Sequence, residues 1–102
     1  MAYALVMTTT DSPDEAESLA RSLVEARLAA CVQLTPIVSH YVWEGTPTRA
    51  AETLLLAKTR ADRVADITRF IEEHHSYDTP EVVALPIESG SAAYLRWIDS
   101  SL

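Results

Sequence analysis

The sequence is poor in glycine, cysteine and long apolar segments, and each shortage excludes a class of protein. Two glycines in 102 residues leave little material for glycine-rich phosphate loops, and no Walker-type loop, nucleophile elbow or dinucleotide fingerprint occurs. The single cysteine, Cys31, excludes an internal disulfide framework and is typical of a reducing compartment. No stretch approaches the ~18 apolar residues that a membrane helix requires.

The start of the chain and its net charge narrow the expected location and partners. The segment before the first threonines carries no cationic residue and only a short apolar stretch, unlike a secretion signal, so we expect a cytoplasmic location. The formal net charge of −7 produces a field that repels phosphate backbones and anionic lipid headgroups. We therefore expect neither nucleic acid nor membranes as partners.

Composition and periodicity are those of a globular protein. Apolar residues make up 48% of the chain and charged residues 23%, close to the average for soluble domains, and we expect residues 1–102 to form a single domain. Helical and strand periodicities alternate along the chain. The predicted elements are strands over residues 3–9, 31–44, 49–59 and 81–87, and helices over about 13–28, 61–74 and from 92 onward.

Local signals mark the ends of several elements. Ser12 and Pro13 are typical of a helix cap and a first helical position, and Glu15 completes the pattern of a capping box. Pro36 interrupts the second strand, where its missing N–H predicts a kink or bulge. Residues 44–47 are predicted to form the turn into the third strand.

The predicted order, β-α-β-β-α-β followed by an extra C-terminal helix, is that of an α+β ferredoxin-like sandwich. Its central hairpin is long for one domain, because thirteen residue steps extend ~43 Å whereas a compact chain of this length is only ~33 Å across. The overhanging part carries Tyr41, Val42 and Trp43. Bare apolar strands pair with other chains, so we expect a closed oligomer. Alternatively, the terminal helix, with Tyr94 and Trp97, covers the same surface.

Five motifs, in order, resemble those of the CutA divalent-cation tolerance family. They are RLAACV at 27–32, SHYVWEG at 39–45, Glu52 with Lys58 and Thr59, HSYDTPE at 75–81 and YLRWI at 94–98. The resemblance implies a homotrimer of ferredoxin-like subunits with PII-like architecture, in which long hairpins pair between subunits. It also implies a link to tolerance of divalent metals, copper above all, and it assigns no catalytic residue.

Cys31 and His75 are the candidate metal ligands, because copper ions favour thiolate and imidazole. No cofactor is required, and copper or another divalent cation is the candidate ligand. No CxxC, HxxxH or HxH spacing gathers three or four ligands, so binding is expected to be weak. Alternatively, Cys31 is a small hydrophobe at a strand start, and His75 interacts with the negative end of a helix dipole.

Aromatic and charged side chains form a second candidate site, a ligand pocket between subunits. Its members are Tyr41, Trp43, Glu52, Lys58, Tyr77, Glu81 and Trp97. Alternatively, the aromatics anchor an interface and the charges are solvated. The resemblance to the CutA family thus implies a trimeric, non-catalytic protein of divalent-cation, chiefly copper, tolerance, and the ligand spacing leads us to expect weak metal binding. The other hypothesis is a PII-like regulatory module that binds a small ligand or a partner protein at the subunit junctions.

Overall fold

Residues 2–102, which this computed structural model describes, form four strands and three α-helices. In chain order these are β1 (Tyr3–Thr10), α1 (Pro13–Glu25), β2 (Cys31–Trp43), β3 (Thr46–Arg60), α2 (Val64–His74), β4 (Val83–Ile87) and α3 (Ala92–Ser100). The strands make one antiparallel sheet in the order β2-β3-β1-β4. This confirms the predicted α+β, ferredoxin-like fold. None of the described helices is both long enough and apolar enough to span a bilayer.

Helix α1 begins where the sequence predicts, but without the second half of the predicted capping box. Pro13 occupies the first turn, and the Ser12 hydroxyl accepts a hydrogen bond from the Glu15 backbone N–H at 3.1 Å. The N–H of Ser12 donates to the Thr10 hydroxyl at 3.2 Å. The Glu15 carboxylate instead accepts from the backbone N–H of Ser76 at 2.9 Å, because the fold brings that loop against the start of the helix.

The end of α1, at Glu25, comes three residues before the predicted one. Arg27 adopts the left-handed region with φ of 59°. The N–H of Leu28 bonds to the carbonyl of Leu23 and the N–H of Arg27 to that of Val24, both at 3.0 Å, which is the Schellman pattern of helix termination. Arginine is a good helix former, so the sequence carries no glycine signal for this stop.

One face of the sheet packs against α1 and α2 and forms the core. Side chains alternate along a strand, so Val6 of β1 and its partner Ala57 of β3 point to the same face. They belong to one buried cluster with Leu23 of α1 and with Ile67 and Ile71 of α2, and all five are at most 3% exposed. Burying each of the larger side chains stabilises the fold by roughly 1.5–3 kcal/mol.

The opposite side of the sheet, called here the open face, is covered only at one end, by α3. The Tyr3 hydroxyl donates a hydrogen bond to the Asp99 carboxylate of α3, and Ile98 beside it is fully buried. Farther along the open face, the register places Val83 and Leu85 of β4 beside β1. These two side chains are 46% and 43% exposed. The sheet therefore leaves apolar surface uncovered in the single chain.

The hairpin of β2 and β3 closes with a two-residue turn, shorter than the predicted turn over 44–47. Glu44 and Gly45 have φ of 49° and 78°. Two consecutive residues with positive φ are typical of the type I′ turn, whose twist matches that of the strands. Pairing begins directly outside the turn, with Trp43 opposite Thr46.

Pro36 does not produce the predicted bulge. Pairing between β2 and β3 runs residue for residue from one end of β2 to the other, with Pro36 opposite Thr53. Strand β2 lies at the edge of the sheet. In an antiparallel hairpin every second residue pair exchanges backbone hydrogen bonds, beginning with the closing pair Trp43–Thr46. Pro36 lies seven residues from Trp43, so the pair Pro36–Thr53 exchanges none. Its missing N–H therefore faces outward, where no ladder bond is lost.

The hairpin overhangs the rest of the fold. Strand β1 ends with Thr10 opposite Thr53, so β3 has no β1 neighbour beyond that residue. The chain measures 44 × 25 × 22 Å along its principal axes, which agrees with the length argument from the sequence. Tyr41 and Trp43 are 41% and 60% exposed. Helix α3 thus does not cover the hairpin, and the alternative based on Tyr94 and Trp97 is wrong for the single chain.

The left-handed residue at the end of α1 generates a stability prediction. Arg27→Gly removes a steric cost of about 1–2 kcal/mol and should raise the free energy of unfolding by about 0.5–1 kcal/mol in urea titrations. The matched control, Arg21→Gly, lies within the same helix and should lower it by about 1 kcal/mol. A loss of stability in Arg27→Gly would mean that the exposed contact of its guanidinium with the Ser101 carbonyl outweighs backbone strain.

Candidate functional site

His75, directly after α2, is held by both of its ring nitrogens. Its side chain is 0% exposed. Nδ1 accepts the backbone N–H of Tyr77 at 3.0 Å, and Nε2 lies 2.7 Å from the carbonyl oxygen of Thr9 at the end of β1. Because Nδ1 acts as an acceptor and a carbonyl can only accept, the ring hydrogen resides on Nε2, which donates to Thr9. The imidazole thus ties the loop after α2 to the sheet.

Glu15 of α1 holds the same loop from the other side. Its Oε1 accepts the Ser76 N–H at 2.9 Å and lies 3.3 Å from His75 Nδ1. Burial raises the pKa of the Glu15 carboxyl, but the hydrogen bonds from Ser76 and from the Thr10 hydroxyl outweigh it, so the net pKa falls below its ordinary value of 4.5. The carboxylate is therefore ionised at neutral pH and acts purely as an acceptor.

Tyr77 connects this loop to the base of the hairpin. Its hydroxyl donates a hydrogen bond to Glu52 Oε2 at 2.9 Å. Burial, together with the hydrogen bond to Glu52 and the charge of that carboxylate, raises the pKa of the Tyr77 phenol well above its ordinary value of 10.0. Tyr77 therefore remains a neutral donor throughout the physiological range.

A groove of about 740 Å³ lies between the loop and the hairpin, and we call it the acidic–aromatic groove. Its aromatic lining is Tyr41, Trp43 and Tyr77. Its carboxylates are Asp11, Glu52, Asp78 and Glu81.

The structure divides the predicted pocket into two parts. Five of its seven residues line the groove, namely Tyr41, Trp43, Glu52, Tyr77 and Glu81. The other two lie at the opposite end of β3. Lys58 Nζ is 5.5 Å from the centre of the Tyr94 ring, and the Trp97 ring is centred 5.3 Å from that of Tyr94. Six residue steps along β3 separate Lys58 from Glu52 by roughly 20 Å.

Two groove carboxylates, Asp11 and Asp78, were missed by the sequence reasoning. Asp11 directly precedes the cap of α1, and Asp78 follows Tyr77 in the loop after α2. The HSYDTPE motif contains Asp78 and could have indicated it. No pattern in the sequence connects Asp11 to that motif, because the two meet only when α1 and α2 pack on the same sheet.

Cys31 and His75 do not meet within one chain. Cys31 is the first residue of β2 and pairs with Lys58. His75 contacts Thr9, which lies level with Thr35 of β2 because both pair with Leu54 of β3. Four residue steps place Cys31 roughly 13 Å farther along that strand. His75 has no free nitrogen to bind a metal. Among residues 2–102 no three His, Cys, Asp or Glu side chains converge as metal ligands, so a chelated cation does not fit the single chain.

Comparison with known proteins now defines the family. Residues 4–101 match the family model of the CutA1 divalent ion tolerance protein. The chain belongs to the CutA1 divalent ion tolerance family. It is 40% identical over 97 residues to the divalent-cation tolerance protein CutA of Archaeoglobus fulgidus, and the match covers 95% of each chain.

Two further comparisons set the extent of the likeness within the CutA1 family. The chain is 42% identical over 98 residues to the chloroplastic protein CutA of Arabidopsis thaliana, covering 95% of itself but 54% of that protein. It thus spans about half the length of the plant relative. The solved structure of the periplasmic divalent cation tolerance protein CutA from A. fulgidus matches it with a TM-score of 0.95, at 39% identity over 97% of both chains. The name of the archaeal relative describes tolerance of divalent cations.

The prediction of a cytoplasmic location is wrong. The solved CutA relative is described as periplasmic and the plant relative as chloroplastic. Chains with this fold therefore occur in other compartments. One free thiol and a start without a cationic segment are compatible with several compartments, so composition was not sufficient to choose one.

The lowered pKa of Glu15 predicts a pH dependence of stability. The unfolded chain binds the proton more tightly, so the stabilisation by Glu15 is fully present above its ordinary pKa of 4.5 and is lost as pH falls through the lower folded value. In urea unfolding between pH 3 and 7, Glu15→Gln should be less stable than wild type at neutral pH, and the difference should shrink in acid. Glu17→Gln, on the exposed side of α1, should keep the wild-type profile. An unchanged difference at all pH values would contradict the assignment.

The bond between Tyr77 and Glu52 generates a second stability prediction. Tyr77→Phe leaves Glu52 Oε2 without its donor and should lower the free energy of unfolding by about 1–2 kcal/mol. Tyr41→Phe removes a hydroxyl from an exposed hairpin residue and should change it by less than about 0.5 kcal/mol. Equal effects of the two substitutions in urea titrations would show that the bond contributes nothing.

Proposed function

We propose that the chain functions in divalent-cation tolerance, chiefly towards copper, as a non-catalytic homotrimer. The association of subunits is supported by the apolar surface that one chain leaves uncovered. Val38 and Val42 on the hairpin are 51% and 71% exposed, and Val83 and Leu85 on the open face are 46% and 43% exposed. Large apolar surfaces of this kind mark association sites.

The total surface supports the same proposal. The chain exposes 6196 Å², whereas a compact monomer of 11.2 kDa exposes about 5,700 Å². The hairpin and the open face are different surfaces of the molecule. A contact between the hairpin of one copy and the open face of the next is heterologous, and such contacts form a ring when the rotation between copies closes. Three subunits is the number that the resemblance to the CutA family implies.

The role of the metal in this proposal is a weak association, without a dedicated chelating site. His40 and the four carboxylates line the acidic–aromatic groove, so its field attracts divalent cations. No three of the described side chains converge as a ligand set, which limits affinity. Cys31 and His75 contribute only if different subunits bring them together, and the engaged nitrogens of His75 oppose this.

A second candidate function is a PII-like regulatory module that binds a small ligand at the subunit junctions. The specific observation in its favour is the size and lining of the groove. Its volume of about 740 Å³ is within the range of small-molecule sites. Aromatic walls with a few polar groups are the usual lining of such sites.

Association through the open face is testable with one substitution. Leu85→Glu places a charge among apolar side chains that the proposed interface buries, so light scattering at micromolar protein should report loss of the trimer. Val24→Glu, on the outer side of α1 and 39% exposed, changes the same chemistry elsewhere and should remain trimeric. A wild-type monomer, or an intact Leu85→Glu trimer, would contradict the proposed interface.

Weak metal association is testable by calorimetric titration with Cu(II). We expect a dissociation constant weaker than about 10 μM for wild type and the same value for Cys31→Ala. The double variant Glu52→Gln with Asp78→Asn should weaken binding further, because it removes two groove charges. Tight binding that disappears in Cys31→Ala would instead support a thiolate site and overturn the groove as the place of association.

A further inference from the structure

We propose that the acidic–aromatic groove binds a small organic cation, a compound with an amine, guanidinium or quaternary ammonium group. The inference rests on the second candidate function, the small-ligand module, and specifies its ligand class.

The negative charge of the groove lining predicts that the ligand is positively charged. The groove is lined by Asp11, Glu52, Asp78 and Glu81, and none of its described lining residues is lysine or arginine. With His40 neutral, the lining carries four negative charges, more than half of the net charge of −7 of the chain. Partly enclosed clefts of one sign concentrate ligands of the opposite sign. Nucleotides and carboxylic acids are repelled.

Aromatic walls determine that the cation is organic. Tyr41 and Trp43 are 41% and 60% exposed, and the Tyr77 ring lines the same groove. The faces of such rings attract ammonium and guanidinium groups, and the attraction strengthens when water is excluded. A hydrated metal ion gains little from a ring face, whereas an alkylammonium group buries its carbon atoms against it.

The donor geometry disfavours a metal as the preferred occupant. One oxygen of Glu52 already accepts from Tyr77 at 2.9 Å. The raised pKa of the Tyr77 phenol keeps its oxygen protonated and unsuited to metal coordination. Within residues 2–102 no three candidate ligands converge. An organic cation needs only a carboxylate at one side and a ring face at another.

The loop that forms one wall is already fixed before any ligand arrives. His75 and Glu15 together bond to Thr9, Ser76 and Tyr77 through both imidazole nitrogens and one carboxylate oxygen. Prior ordering removes part of the entropic cost of binding.

Tryptophan fluorescence provides a direct test. The chain has two tryptophans, so Trp97→Phe leaves Trp43, in the groove, as the sole reporter. This protein is titrated at constant ionic strength with choline, agmatine and spermidine, and with 3,3-dimethylbutan-1-ol, the neutral carbon isostere of choline. We expect saturable changes with the cations and at least about tenfold weaker binding of the alcohol. Equal binding of choline and the alcohol, or no saturable change below 50 mM of any cation, overturns the proposal.

Variants then locate the site. Glu52→Gln retains an oxygen that accepts from Tyr77 and should weaken cation binding about tenfold. Glu72→Gln removes the same charge from the exposed side of α2 and should leave binding unchanged. If both substitutions weakened cation binding equally, the effect would arise from the net charge of the chain, and the groove would not be the binding site.

Two further measurements separate this inference from the proposed function. Displacement of bound choline by Mg²⁺ or Cu(II) at concentrations below that of choline would make the groove a metal site and overturn the organic-cation proposal. A wild-type trimer that dissociates in Leu85→Glu but never binds the cations refutes this inference alone. Cation binding that depends on Glu52 in a protein shown to be monomeric supports this inference and refutes the trimer.

Discussion

The length of β3 is the constraint from which the other features of this molecule follow. Strand β3 has fifteen residues and β1 only eight, and the two pair from Thr53 to Arg60. Residues 46–52 therefore have a strand neighbour only on the β2 side. A two-stranded ribbon is marginally stable alone in water, and an apolar one is a site of association. The single chain thus leaves this part of the hairpin without a second strand neighbour.

The same mismatch creates the groove. Glu52 is the first residue of β3 beyond the end of β1, where the next strand would otherwise continue. The loop after α2 occupies that position, with Tyr77 bonded to Glu52 and His75 bonded to Thr9 in the penultimate position of β1. The end of a strand, a buried imidazole and a hairpin base thus form one connected structure. The groove therefore lies where the pairing between β3 and β1 stops.

Periodicity and capping signals were sufficient to predict the strands, the helices and their order, because those depend on local sequence. They were insufficient at Arg27, which adopts the left-handed conformation without being glycine, and at Pro36, which lies at a strand pair that exchanges no hydrogen bonds. For His75, residue type predicted metal chemistry, whereas burial and two hydrogen bonds give it a positioning role. The sequence analysis assigned Lys58 and Glu52 to one pocket, and only the register of the sheet shows that they lie at opposite ends of the β1–β3 pairing.

The run Leu54-Leu55-Leu56 of β3 points to both faces of the sheet. Leu55 points to the helices and is 1% exposed, while its two neighbours point to the open face. A strand that is apolar on both faces is typical of a sheet covered on both sides. Helix α3 reaches only the end of the open face near Tyr3, so it does not supply the second cover. The sequence of β3 is therefore suited to a state in which the open face is buried.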